Sequence, residues 1–350
     1  MRRAYWLVAA AVGFGLAAWL MWGAETEGRA ARRLPSRWEF PRRQRKEDLE
    51  RLLMRRTLPP RPALPEAGIA EEPLARDPVL VAMPPGAKSA MVIEASSVHD
   101  SALGRLILEC FISTRDLQRL EALKQDSGID LERNLDRVAV AGDVTLFSGD
   151  FSGARFDGLL NEYTARAYGR GTLYEPSTSM RRRRVIGVWG AGLLIAGRSA
   201  ADVEQAIDRL EGRSRAEPPL DESDAYGEIY GVFTAKELAR LLPEETAARL
   251  RGTAERVELH VDTRNEHDVL IVADANGRDR AAVDDLGKSL GAALAVARVT
   301  ARHDGDEDLA QLLDLARVSP ETGAFRLEVG LPLELLRRRF GHCAEDAGAR

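Results

Sequence analysis

Five histidines, at positions 99, 260, 267, 303 and 342, are the first residues to weigh for metal or acid–base chemistry. His260 lies between Leu259 and Val261 in an alternating apolar run, so strand geometry turns it to the opposite face, toward solvent. A hairpin would bring His267 near it, but two histidines without a third placed ligand do not make a zinc site. Asp304-Gly305-Asp306-Glu307-Asp308 has the acid density of a calcium loop. It lacks the loop's spacing and terminal bidentate Glu, because Leu309-Ala310 leads directly into a helix. Acids gathered where the helix dipole favours negative charge account for it. Gly187, Gly190, Gly192 and Gly197 suggest a phosphate loop, yet strand sequence flanks them and no helix opens at the turn. Hairpin turn chemistry explains them instead. Ser148 and Ser152 lie in no nucleophile-elbow sequence. No catalytic residue, metal ligand or cofactor is therefore assigned.

Arg181-Arg182-Arg183-Arg184 is the sharpest local feature. Four adjacent cations suit a lipid headgroup, a polyanion or an acidic partner. The same run would also serve as a solvated strand edge whose charges discourage edge-to-edge association. Burying unpaired charges costs several kcal/mol each, and Ser177–Met180 supply no acids, so the expectation is an exposed contact patch. Cys110 and Cys343 are too few for a disulfide scaffold and show no metal spacing. A bridge in an oxidising compartment and two separate thiols both remain open.

The elements that position these residues are read from periodicity. Met91–Ala95 reads as a strand, Ala102–Ile112 as a helix, and Arg137–Phe151 as two strands turning at Ala141-Gly142-Asp143. Phe156, Leu159, Leu160 and Tyr163 have helical spacing. Val185–Gly197 reads as a hairpin, and Ser199 caps a helix with Val203, Ala206, Ile207 and Leu210 inward. After a polar break at Arg213–Asp224 a similar order restarts. Glu228–Phe233 is a strand, Thr234 opens a capped helix, and Arg256–Asp262 pairs with Val269–Ala275. Helices follow with Val283, Leu286, Leu290 and Leu294 inward, then Leu309, Leu312, Leu313 and Ala316. Phe325, Leu327, Val329 and Leu331 form a last strand before a short helix, Leu333–Phe340.

Upstream of these, Ala4–Ala24 carries no charge. At about 1.5 Å per residue it spans roughly the hydrocarbon core of a bilayer. Tyr5 and Trp6 at one end and Trp19 and Trp22 at the other suit the two interfaces. A cleaved signal peptide is the competing reading. The length of the run and the bulky Trp22 at its exit favour an uncleaved anchor. Residues 1–62 hold 14 Lys and Arg against 6 Asp and Glu, a net of +8. The whole chain is −5, which leaves −13 for residues 63–350 and argues against nucleic-acid binding. Arg2 and Arg3 place the N-terminus inside, as in a signal-anchor; Arg29, Arg32, Arg33, Arg37, Arg42 and Arg43, counted by the positive-inside rule, place the folded part there instead. Glu47–Leu58 is amphipathic and reads either as a solvated turn or as a surface helix with Arg51, Arg55 and Arg56 on anionic headgroups. Pro59, Pro60, Pro62, Pro65, Pro73, Pro78, Pro84 and Pro85 then read as an extended spacer.

The run Gly128-Ile129-Asp130, Asp136-Arg137-Val138-Ala139-Val140 and Gly149-Asp150-Phe151 resembles a pattern in uncharacterised, membrane-anchored, duplicated α+β proteins of bacteria. Leu193-Leu194-Ile195-Ala196-Gly197 and the capped helix to Gly212 resemble it too. The likeness implies no activity and no catalytic residues. The expected fold is α+β: an anchor at 1–24, a linker at 25–88, and two similar modules at 89–215 and 225–345, each an antiparallel sheet with helices on one face. The expected role is a non-catalytic, single-pass protein of the bacterial inner membrane. It contacts the membrane through residues 4–24 and a protein partner through its domain, which faces the periplasm or, alternatively, the cytoplasm. A module for a small apolar or lipid ligand, and an enzyme with dispersed catalytic residues, are the competing classes.

Overall fold

The computed structural model describes residues 45–56, 76–111, 127–156, 163–177, 184–214, 216–239, 244–265, 267–321 and 323–335, with scattered positions between 118 and 125. The chain divides into two compact units, one built from Arg43–His99 and Ser113–Tyr226, the other from Asp100–Ile112 and Gly227–Arg350. The expected anchor at 4–24 lies outside the described residues, among which no helix is long and apolar enough to cross a membrane.

The first unit contains α1 (Lys46–Arg55), α2 (Pro78–Ala82), β1 (Ser89–Ile93) and α3 (Ala95–Asp100). The next helix, α4 (Ala102–Phe111), belongs to the second unit. The first unit resumes with α5 (Leu131–Asn134), β2 (Leu135–Ala141), β3 (Val144–Gly149), β4 (Tyr163–Tyr168), β5 (Gly171–Pro176), β6 (Val185–Trp189), β7 (Leu193–Gly197) and α6 (Ala200–Leu210). Its strands run in the order β1-β2-β3-β7-β6-β5-β4, every neighbouring pair antiparallel. Ser199 caps α6 in a reciprocal box with Asp202, and Val203, Ala206, Ile207 and Leu210 are buried as the spacing requires. A Cβ on Gly197 would come within 2.8 Å of Val203, so glycine lets α6 lie directly on the sheet. At the tip of the β6–β7 hairpin Gly190 has φ +60°, the left-handed conformation that a tight turn needs.

Two expectations for this unit change. Tyr163 opens strand β4 and is not on a helix; the rest of that helical pattern lies outside the described residues. In the β4–β5 hairpin only Tyr163, Gly171 and Leu173 are buried, so its buried apolar signal is too thin to stand out in the sequence. The linker also ends earlier than residue 88, because α1 and α2 belong to the first unit. In α2, Pro78 occupies the first turn, Asp77 accepts from the Val79 amide at 2.8 Å, and Val79, Leu80, Val81, Ala82 and Met83 are all buried. Proline fits there because the first helical amide has no intrahelical partner to lose, so Pro78 starts a core helix instead of extending a spacer.

The second unit runs β8 (Ile229–Thr234), α7 (Ala235–Ala239), α8 (Glu244–Thr253), β9 (Arg256–Asn265), β10 (Asp268–Asn276), α9 (Arg280–His303), α10 (Glu307–Asp314), β11 (Ala316–Glu321) and β12 (Ala324–Pro332). Its order is β8-β9-β10-β12-β11, again antiparallel throughout. That order matches β1-β2-β3-β7-β6 of the first unit position for position. Asp306 caps α10, its carboxylate accepting from the Leu309 amide at 2.9 Å, as expected of acids at a helix start. Ala316 opens β11 instead of continuing the helix, and Leu333–Phe340 is described only as far as residue 335. Helix α4 packs on β9 with Ala102, Leu103 and Leu106 buried, so the first expected module gives one of its helices to the second unit.

An ion pair in the core of the first unit lies out of reach of water. Arg137 donates to both carboxylate oxygens of Asp77, at 2.6 and 3.0 Å, with side chains 2% and 0% exposed. Asp77→Asn should take the bidentate carboxylate away from the buried guanidinium and lower unfolding stability by about 3–5 kcal/mol. Arg137→Met combined with Asp77→Leu should lose less than Asp77→Asn alone, since no uncompensated charge remains. Urea denaturation of the three variants measures both.

Candidate functional site

Helix α1 turns three large apolar side chains toward solvent. The sequence sets Leu49 and Leu53 one turn apart, with Met54 beside them. They are 43%, 57% and 82% exposed, and among the described residues only Val296 and Val299 on α9 are the other large apolar side chains left so open. Lys46 and Glu50 lie on the same outward side and pair at 3.5 Å. Leu52, on the opposite side, is buried.

The inward side is fastened by arginines. Arg51 donates to Ser97 Oγ at 2.7 Å and to Asp48 Oδ1 at 2.5 Å. Arg55 grips both Glu94 oxygens, at 2.8 and 2.6 Å, and Glu94 is only 3% exposed. Arg56 pairs with Glu222, whose other oxygen accepts weakly from the Asp77 amide at 3.4 Å. The three arginines that the surface-helix reading would set on lipid headgroups, and the solvated-turn reading in water, instead point into the first unit. The physical reason is that buried or half-buried carboxylates offer charge-assisted hydrogen bonds, roughly twice as strong as neutral ones. Further inside, Arg209 donates to the Ala82 carbonyl at 2.8 Å, and burial pushes its guanidinium below its ordinary pKa.

Of the arginine run, Arg181, Arg182 and Arg183 lie outside the described residues. Arg184 is half-buried and donates to the Asp143 carbonyl at 2.9 Å, the Ala196 carbonyl at 3.0 Å and Thr145 Oγ1 at 3.4 Å. It ties β6 to the neighbouring strand ends, so this member of the expected patch has a structural use. Cys343 and the side chain of Cys110 lie outside the described residues.

His260 is a correction. It is 2% exposed, paired in register with Tyr230 on β8 and Val272 on β10. The face expected to meet solvent is covered: Asp262 and Glu328 on the same side of the sheet are 4% and 3% exposed. Alternation showed which residues share a face, but burial of the second face is a tertiary fact. His267, at the hairpin end, is exposed and not grouped with it. Beside them Arg326 grips Asp274 with two bonds of 2.7 Å. Among the described residues no group of three or more His, Cys, Asp or Glu is placed to hold a metal ion. The weight that α1 carries was not visible beforehand; the only signal was apolar side chains on both of its sides.

No family model matches the chain, and no curated protein matches it. One solved structure, crystal form I of TP0453, superposes with a TM-score of 0.46 at 12% identity, over 77% of this chain and 98% of its own. A likeness that loose carries no argument.

Removing the main fastening should free α1. Arg55→Ala leaves Glu94 buried without its fork and should cost about 1–3 kcal/mol. Hydrogen exchange should speed up at residues 46–56 well before the strands of the first unit respond, and unchanged protection there would count against the fastening.

Proposed function

We propose that the chain is a single-pass, membrane-anchored protein of the bacterial envelope whose α+β region serves protein interaction without catalysis. The observation that carries the proposal is the uncharged Ala4–Ala24 run, long enough to span, followed after a basic stretch by a helix fastened to folded protein. An anchor is useful only if the folded region is tied to it, and α1 is the described element nearest that run. The matching strand order of the two units supports an internal duplication, a common route to a binding scaffold. Three of the described ion pairs serve as fasteners: Arg137 with Asp77, Arg55 with Glu94, and Arg326 with Asp274. Arg2 and Arg3 before the run support an N-terminus on the inside and a folded region in the periplasm.

Membranes from cells making the full chain should retain it through alkaline carbonate, and its intact mass should start at Met1. A mature chain beginning near Glu25 would end the anchor proposal. A C-terminal reporter active only in the cytoplasm should stay dark; a bright reporter would reverse the orientation. Crosslinking in intact cells should yield one discrete partner adduct, and its absence at full expression would count against the interaction role.

A further inference from the structure

We infer that the outward face of α1, where Leu49, Leu53 and Met54 stand beside the Lys46–Glu50 pair, rests on the lipid surface beside the anchor; this builds on the anchor proposal above. Three of the five large apolar side chains exposed among the described residues fall within six positions of this one helix. Each would gain by leaving water, because apolar surface is favourably removed from it. A helix held by its other side cannot roll to hide them. Arg51, Arg55 and Arg56 fix its rotation, so the apolar arc stays turned away from the first unit.

What reaches this face follows from where the chain lies. Residues 25–45 separate the end of the apolar run from α1. At about 3.3–3.6 Å per residue, 21 residues span at most roughly 70–75 Å, which bounds the distance of α1 from the end of the apolar run. The bilayer is therefore present at high effective concentration. The same segment carries Arg29, Arg32, Arg33, Arg37, Arg42, Arg43 and Arg45 against Glu25, Glu27 and Glu39, and a basic segment beside a membrane is drawn to anionic headgroups. Electrostatic attraction of the segment and apolar burial of the helix face act together. In the usual amphipathic surface helix arginines flank the lipid-facing side; here Arg51, Arg55 and Arg56 bind protein while Leu49, Leu53 and Met54 meet lipid.

The test uses the full chain, with Cys110 and Cys343 replaced by alanine, reconstituted in vesicles of phosphatidylethanolamine and phosphatidylglycerol. Nitroxide labels are placed at Leu53→Cys, Met54→Cys and, as the reference, Arg198→Cys on the β7–α6 connection, whose side chain is 65% exposed. The expected result is a several-fold higher ratio of oxygen to nickel-chelate accessibility at 53 and 54 than at 198. Carbonate extraction of the same vesicles separates the two proposals. A chain that stays in the membrane with labels 53 and 54 as open to nickel as 198 overturns the lipid contact and leaves the anchor standing. A chain released by carbonate overturns the anchor itself. Spin–spin broadening at 53 and 54 that vanishes on dilution with unlabelled chain would mean a second copy covers the face, which also overturns the lipid contact. Phosphatidylcholine vesicles should lower the ratio at 53 and 54 if the basic segment assists; an unchanged ratio would remove that segment from the proposal.

Discussion

A guanidinium and a carboxylate closed off from water in an aliphatic core constrain the first unit more than any other contact. Arg137 reaches inward from a position on β2 where Ala139 and Ala141 are its neighbours on the same face. Without Asp77 its charge would be intolerable there, since an unpaired buried ion costs several kcal/mol. Asp77 in turn caps α2, and the α2 carbonyl of Ala82 accepts from Arg209 on α6. One segment of the chain, residues 77–83, is thereby fixed to both the sheet and the helix that covers it. Its two ion-pair bonds define a single geometry, which apolar contacts alone would leave freer.

The same logic extends outward in steps. The Asp77 amide approaches Glu222, Glu222 meets Arg56, and Arg55 meets Glu94 just after β1. The Arg137–Asp77 pair is the most deeply buried of these, its side chains 2% and 0% exposed, whereas Arg55 and Arg56 are 20% and 15% exposed. Coulomb attraction strengthens as water is excluded, so the inner pair sets position and the outer pairs orient α1. The orientation decides that leucine and methionine, not arginine, face outward.

Much of the fold could be read from residue order. The β6–β7 hairpin, the Ser199 cap with its inward face, and the pairing of β9 with β10 depend on interactions between close neighbours in sequence, where period and turn chemistry act directly. The fate of α1 could not. A segment with Leu49, Leu52 and Leu53 interleaved with Arg51, Arg55 and Arg56 has no single amphipathic solution, because both groups of side chains have favourable partners. Ser97, Glu94 and Glu222 settled it, and the last of these is 166 positions from Arg56. The expected arginine patch illustrates the same gap: Arg184 is one of four identical neighbours, and only the approach of the Asp143 and Ala196 carbonyls singles it out.

The sequence by itself determined the mixed α+β class, most strand and helix positions, the uncharged N-terminal run and the split between a basic start and an acidic remainder. These follow from composition and from periods of two and 3.6 residues, which are properties of local chain geometry. Tertiary structure alone decided that residues 77–83 are core and not spacer, and that His260 is buried on the second face of its sheet. It also decided that Ala102–Phe111 serves the second unit. Each of these depends on what lies across from a residue after folding. Desolvation and ion pairing take their energies from those distant neighbours, and no window along the chain contains them.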